Sequence, residues 1–79
     1  MLSSLNEQVR EIMANTFGVD ENELADDLSQ ENYSRWTSLY QMTIMAALED
    51  HFNLAFSMDE MLAMTSLPKI LEVLKKHVV

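Results

Sequence analysis

The sequence has no cysteine, one glycine, one proline and only five basic residues. Without cysteine, neither a disulfide nor a thiolate metal site can hold the chain together. No apolar run approaches ~18 residues, and no basic segment precedes an apolar one, so we expect neither a transmembrane helix nor a signal peptide. The lack of cysteine also fits a reducing compartment, and we expect a cytoplasmic protein.

Positive charge is scarce relative to negative charge. Thirteen acidic residues against five basic ones give a formal net charge of −8. Nucleic acids and anionic membranes are bound by basic patches, so this balance argues against both. The lack of a long apolar run argues against membrane insertion. Acidity favours partner proteins with basic docking surfaces, through faster and more selective encounter. The alternative is that it only keeps a small protein soluble.

Apolar residues recur at steps of three and four, without strand-like alternation. This spacing predicts long helices over residues 4–16, 38–52 and 67–77, a short helix over 58–64 and a single turn after Asp20. Ser4 with Glu7, and Ser57 with Glu60, have the spacing of capping boxes, and Gly18 suits a left-handed helix end. We predict one all-α domain over residues 1–79, a four-helix bundle with three long helices, one short helix and a long first loop.

Apolar positions indicate how these segments pack. We expect Leu24, Leu28 and Trp36 to fix the long loop onto the helices. In the last helix the apolar face predicted from spacing comprises Leu67, Ile70, Leu71, Leu74 and Val78.

The acidic loop does not satisfy a calcium pattern. With Asp20 as the first of twelve positions, Asn22 falls third and Glu31 twelfth, as in an EF-hand loop. However, Leu24 stands fifth, where an oxygen ligand is needed, and Ala25 stands sixth, where glycine is needed. We therefore expect solvated charges and no metal site.

The helix over residues 38–52 is apolar over more than half its circumference, so we expect it to be buried on several sides. Ser38 can cap its first turn. One predicted strip comprises Leu39, Met42, Met45 or Ala46, and Phe52, and a second comprises Ile44 and Leu48.

The start and end of this helix resemble the acyl carrier proteins. Ser38-Leu39 opens an apolar helix that ends in Leu-Glu-Asp-His-Phe at 48–52, inside a small acidic helical chain. The family motif is Asp-Ser-Leu, preceded by Trp in a subset. This chain has Trp36 but carries Thr37 in place of Asp, which bears on recognition by the modifying transferase.

The resemblance implies a fold, a cofactor and a set of partners. Ser38 would carry a 4'-phosphopantetheine arm, attached by a phosphopantetheinyl transferase. Because the chain lacks cysteine, the thiol would come from this arm. The protein, a monomer, would hold acyl groups as thioesters and deliver them to acyl-transferring or acyl-activating enzymes of a specialised fatty-acid, lipid or polyketide-type pathway.

The resemblance also assigns roles to individual residues. The expected partner-recognition residues are Thr37, Leu39, Met42, Glu49 and Asp50. The expected acyl-chain cavity comprises Met42, Met45 and Leu62. The competing interpretation places six of the seven methionines in the core: Met13, Met42, Met45, Met58, Met61 and Met64.

Two other classes of function compete with a carrier. An enzyme is the least favoured, because His51 and His77 stand at helix ends with no obvious partners and Ser38 has no histidine near it in sequence to act as a base. The other is an unmodified acidic helical interaction module, in which Ser38 is only a helix cap.

Overall fold

The computed structural model describes residues 4–77. Its helices are α1 (Leu5–Phe17), α2 (Ser38–Phe52), α3 (Met58–Ala63) and α4 (Leu67–His77), with a 3-10 turn at Glu21–Glu23. The predicted all-α fold of three long helices and one short helix is therefore confirmed. Val78, which we assigned to the apolar face of the last helix, lies outside the described residues.

Local capping sets the helix bounds. The Ser4 hydroxyl accepts a hydrogen bond from the Glu7 amide at 3.1 Å, so Ser4 caps α1 from outside the helix. Gly18 ends α1 at φ 72°, where a side chain would strain the backbone. The capping box of Ser57 and Glu60 is complete in both directions at the start of α3.

Within residues 4–77, the core is drawn from α1, α2, α4 and the connecting loops, whereas neither the 3-10 turn nor α3 contributes a buried residue. The predicted anchors of the first loop, Leu24, Leu28 and Trp36, are each only 3% exposed, which confirms them. The same loop is tied to the start of α4, because the Leu67 amide donates to the Leu28 carbonyl at 2.7 Å. The other buried hydrophobic residues are Val9, Met13, Ala14, Phe17, Ile44, Met45, Leu48, Phe56, Met64, Leu67, Ile70, Val73 and Leu74.

The prediction that α2 is buried on several sides is wrong. Ile44, Met45 and Leu48 face the core, whereas Leu39 is 73% and Met42 72% exposed. The core-facing and exposed residues lie on roughly opposite sides of a helix with 3.6 residues per turn. Because α3 has only six residues, it leaves this outer side of α2 uncovered.

The methionines divide in the same way. Met13, Met45 and Met64 are buried and Met61 is half-buried, as a core role requires. Met42 and Met58 are exposed, so the core interpretation is wrong for these two.

Candidate functional site

Ser38 is the first residue of α2 and is exposed to solvent. The cap of this helix is Thr37, whose backbone is extended and whose hydroxyl accepts a hydrogen bond from the Tyr40 amide at 3.4 Å. The prediction that Ser38 caps the helix is therefore wrong. Among residues 4–77, the Ser38 hydroxyl has no hydrogen-bond partner, so it is available for chemistry.

The start of α2 is electrostatically suited to a bound anion. The first turn contains no acidic residue, and the first amides of a helix lack intrahelical acceptors. Together with the helix dipole, these amides favour negative charge at the N-terminus. A phosphodiester on the Ser38 oxygen would lie at this positive end, so the residues present fit the phosphopantetheine group that the sequence implies.

Aromatic packing holds the segment that leads to Ser38. Trp36 is buried against Phe17, with ring centroids 6.1 Å apart in an edge-to-face arrangement. Phe17 also contacts Tyr33 at 5.1 Å and Tyr40 at 5.3 Å. Since Phe17 belongs to α1, these contacts fix the approach to α2 against a different helix.

Gln41 connects this segment to α3, and sequence reasoning missed it. Its Oε1 accepts a hydrogen bond from the Trp36 indole nitrogen at 2.7 Å. Its Nε2 donates to the backbone carbonyls of Met61 at 3.1 Å and Met64 at 2.9 Å. Its position could have revealed this role, because Gln41 lies on the same side of α2 as Ile44 and Leu48. A polar side chain on a core-facing side needs hydrogen-bond partners within the protein.

An apolar groove of about 400 Å³ lies between α2 and α3. The predicted cavity residues Met42, Met45 and Leu62 all line it. Of its two polar lining residues, Gln41 is bonded as described, and Glu49 accepts a hydrogen bond from the Phe56 amide at 2.8 Å. The full lining comprises Gln41, Met42, Met45, Ala46, Glu49, Met58, Met61 and Leu62.

The predicted recognition residues divide between surface and fold. Thr37, Leu39, Met42 and Asp50 are exposed, whereas Glu49 is half-buried and holds the backbone after α2. The structure thus gives Glu49 a role within the fold that the sequence did not indicate.

Both histidines are exposed, as expected for residues at helix ends, and each has a partner that the sequence spacing did not reveal. His51 hydrogen-bonds Gln8 at 3.1 Å, and His77 bonds the Glu60 carboxylate at 2.7 Å. The pKa of Glu60 lies below its ordinary value of 4.5. The main cause is the hydrogen bond that its carboxylate accepts from the Ser57 backbone amide, and the second is its hydrogen bond with the His77 ring. These contacts join different elements of the fold.

Residues 4–77 contain no cluster of three or more histidine, aspartate or glutamate side chains that could hold a metal ion. Within the same span, no helix has the length and hydrophobicity needed to cross a membrane.

This helical bundle has an exposed serine at the start of its second helix, and the same helix forms one wall of an apolar groove. That arrangement has the form of a small carrier domain. The sequence matches the family described as "Phosphopantetheine attachment site" over residues 7–74. The chain belongs to this family and is a carrier protein of the acyl carrier protein type. Such domains are non-catalytic and bear covalent 4'-phosphopantetheine. A search of curated proteins found no match.

Proposed function

We propose that Ser38 carries the 4'-phosphopantetheine arm, and that the chain delivers acyl thioesters to enzymes of a specialised fatty-acid, lipid or polyketide-type pathway. One observation carries the assignment of the residue. The Ser38 hydroxyl is exposed at the positive end of α2, while Thr37 performs the capping. A transferase can therefore use this hydroxyl without breaking a hydrogen bond of the fold.

The groove supports an aliphatic acyl cargo. Most of its wall is methionine, leucine and alanine, and methionine adapts its shape to variable apolar groups. Both polar side chains on the wall, Gln41 and Glu49, are already hydrogen-bonded within the protein. A polar cargo would lose its hydration there without gaining new partners. We assign Met42, Met45 and Leu62 to the chain-binding surface.

The partner surface that we propose has an apolar centre. Leu39 follows Ser38 directly and Met42 lies one turn further along α2, so an enzyme acting at Ser38 covers both. Thr37 adjoins the modified residue, and Glu49 and Asp50 mark the far end of the helix. Basic docking surfaces on partners remain a prediction, supported by exposed acids within residues 20–31: Asp20, Glu21, Glu23, Asp26, Asp27 and Glu31.

We also propose that residues 1–79 act as a single monomeric carrier domain in the cytoplasm. The support for one domain is the continuous core, to which α1, α2 and α4 and the first loop all contribute. The support for the compartment is the absence of cysteine.

Intact mass spectrometry tests the modification. The protein is incubated with coenzyme A, Mg²⁺ and a broad-range phosphopantetheinyl transferase. In the expected reaction, the Ser38 oxygen bonds to phosphorus, the pyrophosphate bond of coenzyme A breaks, adenosine 3',5'-bisphosphate leaves, and the hydroxyl proton passes to the transferase or solvent.

We expect a gain of one phosphopantetheine by the wild-type protein and by the control Ser34→Ala, which removes another exposed serine. Ser38→Ala should gain none while keeping its helical circular dichroism. A gain that persists in Ser38→Ala would assign the arm to another residue. A lack of gain in every protein, with several transferases, would reject the proposal and favour an unmodified interaction module.

A further inference from the structure

The side chain of Gln41 lies where three parts of the molecule meet. It lines the groove on α2, it accepts the indole N–H of Trp36, and it donates to the carbonyls of Met61 and Met64 around the end of α3. Trp36 stands two residues before Ser38. One side chain therefore bonds both the segment leading to the proposed modification site and the helix forming the opposite wall of the groove.

The amide of Gln41 uses its full hydrogen-bonding geometry here. Its oxygen accepts one hydrogen bond, and its nitrogen has two hydrogens for two carbonyl acceptors. The reversed orientation would set the amide nitrogen against the Trp36 N–H and the amide oxygen against two carbonyl oxygens. The surroundings thus fix one orientation.

The helix α3 depends on such contacts. It has six residues, none of them buried, and a helix this short is not stable on its own. Its start is held by the capping box and by the bond between Glu60 and His77. At its end, backbone carbonyls lack intrahelical partners, and Gln41 supplies donors to two carbonyls in this region.

We propose that Gln41 is a positioning residue that holds α3 against α2, and so sets the cargo groove and couples it to Trp36. Its effect on cargo rests on the function proposed above, while its effect on α3 does not. Met61 lines the groove, and its carbonyl accepts a hydrogen bond from Gln41. An acyl chain that enters the groove and displaces α3 therefore also disturbs Gln41, the hydrogen-bond partner of the Trp36 indole. Trp36 is the only tryptophan, so tryptophan emission reports the surroundings of this one side chain, which include its bond to Gln41.

The first test uses the unmodified protein. Gln41→Glu keeps an acceptor for Trp36 but turns a carboxylate oxygen toward the carbonyls of Met61 and Met64. We expect amide hydrogen exchange in α3 to accelerate about tenfold or more at neutral pH, as loss of these bonds implies. Exchange should slow again as acid protonates the new carboxyl, because its O–H can donate to a carbonyl.

Controls separate this effect from general destabilisation. Each pH point is compared with wild type, since the ionisable side chains on the elements packed here, Glu49, Glu60 and His77, are present in both proteins. Thr43→Ala, an exposed change on the same helix, should leave α3 exchange unchanged. Trp36→Phe removes the indole donor together with part of a buried ring, so its global stability is measured as well. Relative to that stability, α3 should be nearly as protected as in wild type. Equal α3 exchange in Gln41→Glu and wild type at neutral pH would overturn the proposal.

The second test uses protein acylated through the arm. In wild type we expect longer chains to shift Trp36 emission and to slow cleavage of the thioester by hydroxylamine. In Gln41→Leu, which removes all three bonds, both dependences on chain length should be lost. If Trp36 emission and thioester cleavage depend on acyl chain length equally in both proteins, the proposed coupling between the groove and Trp36 is overturned. Failure of Ser38 to be modified would instead reject the proposed function and leave the exchange result standing.

Discussion

The capping role of Thr37 makes the sharpest stability prediction, since two adjacent hydroxyl residues stand at the start of α2. Thr37→Ala removes the acceptor of the Tyr40 amide. Loss of an N-cap side chain costs about 0.5–2 kcal/mol, and the long 3.4 Å contact places the expected cost at about 0.5–1 kcal/mol. For a domain of this size that corresponds to a fall in melting temperature of about 2–8 °C.

The matched variant is Ser38→Ala. Ser38 is already helical and caps nothing, and alanine is the better helix former by up to about 0.5 kcal/mol. We therefore expect its stability to be unchanged or slightly higher. Thr37→Asp should keep the cap and add a favourable charge at the positive end of the helix, worth about 0.3–1 kcal/mol. It also restores the residue usual in the family motif.

Urea and thermal denaturation followed by circular dichroism measure these differences. Each transition is first checked for two-state behaviour by comparing a second probe, Trp36 fluorescence. The order of stability we expect is Thr37→Asp at or above wild type, Ser38→Ala close to wild type, and Thr37→Ala lowest. If Ser38→Ala is destabilised while Thr37→Ala is unchanged, the hydroxyl of Ser38 is the cap and the reasoning fails.

Two further predictions concern the two faces of α2 and the start of α3. Leu48→Ala should lower the free energy of unfolding by about 2–5 kcal/mol, because Leu48 is fully buried. Leu39→Ala should change it by no more than about 0.5 kcal/mol, because Leu39 is exposed. Equal losses for the two variants in urea denaturation would contradict this packing. The lowered pKa of Glu60 contributes stability that is present above its ordinary value of 4.5 and is lost as pH falls below it. The stability difference between wild type and Glu60→Gln should therefore shrink as pH falls below 4.5, and a difference that grows on acidification through this range would refute this sign.

Helix positions were predictable because their signals are local. A serine three residues before a glutamate, as at Ser57, or a glycine after an apolar series, as at Gly18, marks an end without reference to the rest of the fold. The same rule could not choose between Thr37 and Ser38, since both are good caps. The choice depends on which residue stays extended, and here Thr37 does at φ −89° and ψ 175°.

Burial was harder to predict because it depends on neighbours distant in sequence. The residues of α2 itself are apolar over most of the helix circumference, so its composition does not indicate which side another element covers. The short α3 decides this, leaving Leu39 and Met42 in solvent. Gln41 escaped notice for the same reason, because its bonds reach 20 and 23 residues along the chain. The bond between His77 and Glu60 spans 17 residues and was equally invisible.

The negative net charge of the protein offsets the tendency of its exposed apolar residues to associate. Leu39, Met42, Met58 and Leu62 are each 67–73% exposed, and all but Leu39 line the groove between α2 and α3. Exposed apolar surface of this kind would promote self-association in a neutral protein. In the function proposed above, partners and cargo bind these residues, so the fold would have to leave them accessible. A net charge of −8 lets copies repel one another at long range while leaving this apolar surface uncharged. Acidity that maintains solubility and acidity that guides basic partners are therefore compatible, since a basic enzyme is attracted by the same field that separates two copies of this chain.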